Sequence, residues 1–88
     1  MIRIWAHTTK NGKNTRSYIY ESIDNFAENT FFKHLQKICH EIDIPTPIIL
    51  KSHITSYVDF NISTFLPRDF VESIDFDKLI IENAIIDK

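Results

Sequence analysis

The sequence predicts an α+β fold: an N-terminal β-hairpin, one long helix, then further strands with one or two short helices, forming an antiparallel-rich sheet. Three observations predict it. Asn11-Gly12 stands between two runs that alternate apolar and polar residues; Phe31, Leu35, Ile38 and Ile42 recur at helical spacing; and the C-terminal "DKLIIENAII" is dense in strand formers. The chain is 88 residues long, which predicts one domain over 1–88 with one thin core.

The hairpin comes first. Both central positions of a two-residue type I′ turn need positive φ, which Asn and Gly adopt at least cost, so strands are expected over 2–9 and 14–21. With Asn11 and Gly12 as the whole loop, opposite positions sum to 23, pairing Ile4 with Ile19, Trp5 with Tyr18, Arg3 with Tyr20 and His7 with Arg16. Strand side chains alternate between faces. One face then carries Ile2, Ile4, Ala6 and Ile19 and reads as core, while the other carries Arg3, Trp5, His7, Arg16, Tyr18 and Tyr20.

A helix follows, capped by Asp24 or Asn25 and ended by Pro45 and Pro47, with its apolar stripe packed on the isoleucine face. "PIILK" reads as a short buried strand. "SHITSYVDFN" fits strand alternation and a helical turn alike, and is taken as a short helix. "NISTF" reads as a strand, and "LPRDFVES" as a helical turn opened by Pro67. Apolar residues of both parities in "DKLIIENAII" predict a strand covered on both faces, central in the sheet or buried in a dimer.

Composition narrows the function classes. The chain is 43% hydrophobic and 25% charged with a formal net charge of -2, ordinary values for a globular protein. No apolar run has the length of a membrane span or the form of a signal peptide, and a lone cysteine forms no internal disulfide, so a cytoplasmic location without membrane association is expected. Gly12 is the only glycine. A Walker A loop, a dinucleotide-binding fingerprint and a G-x-S-x-G nucleophile elbow each need more than one, so three common enzyme architectures and their cofactors drop out. No cofactor is implied.

Three groups of residues invite a chemical reading. "QKICHEID" sets Cys39 beside His40 and Glu41, but adjacent helical residues diverge by about 100°, placing Cys39 on the shoulder of the apolar stripe and His40 towards solvent. His34 and His40 are about 120° apart around the same axis and cannot share a metal. A thiol-imidazole or zinc centre would need His7 or His53 brought in from elsewhere. The acidic run Asp69, Glu72, Asp75 and Asp77 could in principle hold a divalent cation, though carboxylates flanking short elements are usually solvated caps. No metal ligand or catalytic residue is assigned.

The third group is the outer hairpin face of Arg3, Trp5, His7, Arg16, Tyr18 and Tyr20. Rings interleaved with arginines suit a protein interface, self-association included, where Trp, Tyr and Arg are the usual anchors. They suit a nucleic-acid stacking platform second, since residues 45–88 are acidic, and the bland alternative is that later segments cover the face. The expected function is therefore a non-enzymatic protein-interaction or self-association module, with nucleic-acid binding as the alternative and a small metal-dependent enzyme third.

The chain also resembles a family of short, uncharacterised bacterial proteins. The resemblance rests on Trp5-Ala6, on "ICHE" followed by Asp43 and the Pro47–Leu50 segment, and on "DFVESIDFDKL". That family carries a tryptophan where this chain has Ile49, and the resemblance implies no activity, cofactor or catalytic residue.

Overall fold

Asn11 and Gly12 adopt φ of 54° and 79° in the computed structural model, which describes residues 1–85, and they close the hairpin of β1 (Ile2–Lys10) and β2 (Lys13–Ser22) as the Asn-Gly signal requires. Next to the turn the register is the expected one, Lys10 opposite Lys13 and Thr9 opposite Asn14. It then shifts: Thr8 faces Arg16, Ala6 faces Tyr18 and Ile4 faces Tyr20, so Thr15 is an extra residue and the strand is bulged. The Thr15 hydroxyl lies 2.7 Å from that of Thr8.

A one-residue slip exchanges the faces of everything beyond it. Without the bulge, Glu21, Ile19 and Ser17 would lie beside Ile2, Ile4 and Ala6 under the helices, burying two polar groups for one isoleucine. With it, the rings of Tyr18 and Tyr20 take that side, and ring burial outweighs the local disruption. Arg16, Tyr18 and Tyr20 therefore leave the Trp5 face on which the unbulged register placed them. Ile19 leaves the core and is 49% exposed.

The helix begins later than its sequence signals suggest. A 3-10 turn over Glu28–Thr30 leads into α1 (Phe31–Glu41), and neither Asp24 nor Asn25 caps it. Phe31, Leu35 and Ile38 are buried as the stripe predicts, with His34 and Cys39 beside them. The helix stops in a Schellman arrangement: Asp43 takes a left-handed φ of 56°, the Ile44 N–H donates to Cys39 O, and the Asp43 N–H donates to His40 O.

"PIILK" forms no strand. Residues 44–50 carry no regular structure, and Ile48 and Leu50 are half exposed, since Pro45 and Pro47 interrupt the donor row a sheet needs and β3 occupies the edge instead. The ambiguous segment is helical, α2 (Lys51–Phe60), ended by Asn61 at φ 63°. It turns directly into β3 (Ile62–Phe65), Pro67 opens a 3-10 turn as predicted, and β4 (Lys78–Asn83) follows. Ile86, at the end of the predicted last strand, lies outside the described residues.

The sheet is antiparallel in the order β2-β1-β4-β3, so β4 is central. One face presents Ile2, Ile4, Ala6, Tyr20, Phe65, Leu79 and Ile81, all buried beneath α1, α2 and the loop carrying Phe70 and Phe76. The central position expected of β4 is found, while within the single chain its other side meets no helix and Ile80 is partly exposed there.

Candidate functional site

The uncovered face can be read as rows across the strands. Ile19, Trp5, Glu82 and Ile62 form one row, and Ser17, His7, Ile80 and Thr64 the next. Glu21 and Arg3 lie beyond the first row, and Thr9 and Lys78 beyond the second. Trp5 is the centrepiece. Its ring stacks on His7 with centroids 3.9 Å apart and planes 16° apart, and its Nε1–H donates to Ser17 Oγ at 2.8 Å.

His7 is consequently buried although no helix covers it. Its Nε2 lies 2.9 Å from Glu82 Oε2, and its Nδ1 lies 3.1 Å from the Asn14 amide oxygen, so one ring ties together β1, β2 and β4. Arg3 donates from Nε and Nη2 to Glu21 Oε2, at 3.1 and 2.9 Å. Every polar side chain around Trp5 is thus matched within the face. What faces outward is Trp5 with Ile19, Ile62 and Ile80, bordered by the paired Arg3 and Glu21, the paired His7 and Glu82, and by Lys78 and Thr64.

Arg3, Trp5 and His7 are brought together, whereas Arg16, Tyr18 and Tyr20 lie on the opposite side. Arg16 reaches Asp75 at 3.3 Å. Tyr20 Oη lies 2.7 Å from His34 Nδ1, and both rings are buried. Desolvation raises the Tyr20 hydroxyl above its ordinary pKa and lowers His34 below 6.5, the latter opposed by Asp24 and reinforced by Lys37 and Lys33. Tyr18, Tyr20 and the outward side of "QKICHEID" border a groove of about 590 Å³ between β2 and α1. Sequence reasoning missed it, because the unbulged register puts Tyr18 and Tyr20 on the other face.

The remaining candidates resolve into structural roles. Cys39 is fully buried, its thiol pushed up to about 12 by burial against the opposing effect of a Thr46 hydrogen bond, so it is a protonated core side chain at neutral pH. Its sequence neighbour His40 is exposed. The acidic run is dispersed: Asp69 binds His53, Asp75 binds Arg16, and Asp77 accepts the Asn11 N–H. Among the described residues, no three His, Cys, Asp or Glu side chains converge as metal ligands.

His53, Asp69 and nearby serines have the inventory of a catalytic triad without its geometry. The Leu50 N–H donates to His53 Nδ1 at 2.9 Å, which leaves the ring proton on Nε2, 3.3 Å from Asp69 Oδ2. The nitrogen that would serve as base is therefore occupied by backbone. Asp69 also accepts the Leu66 N–H at 2.8 Å, and the His53 ring stacks on Phe65. The pair anchors the start of α2 to the Pro67 turn. No helix among the described residues is long and apolar enough to cross a membrane. The chain matches no family model, no curated protein and no solved structure, so its functional reading rests on this geometry.

Proposed function

We propose that the protein is a small cytoplasmic, non-enzymatic module that self-associates through the open face of its sheet. One observation carries the reading: the face without helices is the one that presents Trp5, with Ile19 and Ile62 at either end of its row, 49% and 37% exposed, and Ile80 beside it. Isolated exposed apolar side chains are ordinary, but Trp5 with Ile19, Ile62 and Ile80 around it, interrupted by the His7-bound Glu82 and bordered by polar groups, suits an interface core and rim.

Charge favours a second copy as the occupant. Within the face, the hairpin-turn end carries Lys78, and the other end carries Glu21 and Glu82 against a single Arg3, so the first is positive and the second negative. A two-fold axis between the Trp5 and His7 rows sets the positive end of each copy on the negative end of the other. Four strands about 4.8 Å apart and six residues at about 3.4 Å each give a contact of about 19 by 20 Å, small beside permanent dimer interfaces, so the association is expected to be weak and reversible.

Sedimentation velocity over a concentration series up to about 1 mM tests this, because a weak dimer assembles within that range. The expected result is a concentration-dependent dimer for the unmodified chain and a monomer for Ile19→Lys. A monomer throughout, or a dimer that Ile19→Lys leaves intact, overturns the reading. Nucleic-acid binding through the same face has less support, since Tyr18, Tyr20 and Arg16 point the other way and Arg3 is held by Glu21.

A further inference from the structure

The groove between β2 and α1 lies on the opposite side of the sheet from Trp5 and has an independent chemistry. Its volume of about 590 Å³ is within the range of small-molecule sites. Tyr18 offers a partly buried ring on one wall, and Ile44 and Pro45 supply apolar surface where the chain leaves α1. Tyr20 is held in place by His34, so that wall is set before any ligand arrives.

The helical wall contributes opposite charges. Lys37 and Glu41 both border the groove, one turn apart and within mutual reach. Yet among the described residues neither has an ion-pair partner. A ligand carrying a carboxylate and an ammonium on one carbon matches both at once. A peptide end carries only one of the two. From this the geometry points to a binding site for a free α-amino acid with an aromatic side chain: carboxylate to Lys37, ammonium to Glu41, ring against Tyr18.

Titration calorimetry with L-tryptophan, tryptamine, indole-3-propionate and L-alanine tests each contact separately. L-tryptophan binds saturably. Tryptamine lacks the carboxylate, indole-3-propionate the ammonium and L-alanine the ring, and each is weaker by about tenfold or more, the usual consequence of losing one charged hydrogen bond or one buried ring. Lys37→Met weakens L-tryptophan and indole-3-propionate by about the same factor and leaves tryptamine unchanged, while Glu41→Gln weakens L-tryptophan and tryptamine and leaves indole-3-propionate unchanged. Both residues are exposed, so these variants fold.

No saturable heat from L-tryptophan overturns the assignment. So does equal binding of L-tryptophan and its two indole analogues, or indifference to both substitutions. Ile19→Lys lies on the other face and leaves tryptophan binding unchanged, so this assignment and the self-association reading fail separately.

Discussion

The two faces of the sheet are built from the same strands, yet they obey different rules. The covered face is filled by Ile2, Ile4, Ala6, Tyr20, Phe65, Leu79 and Ile81, whose partners come from elements distant in sequence. The open face is assembled from its own neighbours along and across the strands, Trp5 on His7 within β1, and His7 to Glu82 and Asn14 and Arg3 to Glu21 between strands. One is held by exclusion of water and the other by pairing within the layer. Stability therefore resides mainly on the first, and the second is the face to which the proposed self-association is assigned.

Substitution tests that division, beginning with the largest effect. Phe65→Ala removes a fully buried ring from the covered face and is expected to cost about 3–5 kcal/mol in urea unfolding. Ile19→Lys, on the open face, is expected to stay within about 0.5 kcal/mol while abolishing the proposed dimer. Equal losses at the two positions would erase the distinction.

His34 supplies a smaller, pH-dependent effect confined to the covered face. Its folded pKa lies below the ordinary 6.5, so on acidification the unfolded chain takes up the proton first. The stability His34 contributes is complete above pH 6.5 and declines as pH falls through 6.5 towards the depressed folded value. Unfolding free energies measured between neutral and mildly acidic pH should fall less steeply in His34→Gln, which retains an acceptor for Tyr20. An unchanged slope would place the acid sensitivity elsewhere. The smallest effect concerns Cys39: its thiol, at about 12, should resist alkylation in the native state at pH 8 and react on unfolding. Rapid native labelling would move Cys39 from the core to the groove side of α1.

Much of this was legible in the residues. Asn11-Gly12 specifies its turn because few other pairs adopt positive φ twice. The Phe31, Leu35, Ile38 stripe specifies which side of α1 is buried, and hence that Cys39 and His40 part company. The bulge at Thr15 was not legible locally, because its cause is the burial of Tyr18 and Tyr20 under a helix that begins after the hairpin ends. The same applies to 44–50, whose apolar residues resemble a strand but find the sheet edge occupied by β3.

Local chemistry thus determined the turn, the buried helical stripe, the Pro67 opening and the strand character of 78–83, each a preference of backbone or periodicity within a few residues. Tertiary structure alone decided which residues face water on β2, that β4 lies between β1 and β3, that His53 is a cap bound to Asp69, and that Tyr18 and Tyr20 stand across from Lys37 and Glu41. Those outcomes depend on competition for burial between segments far apart in the chain. On β2, a one-residue change of register suffices to reverse which residues face water.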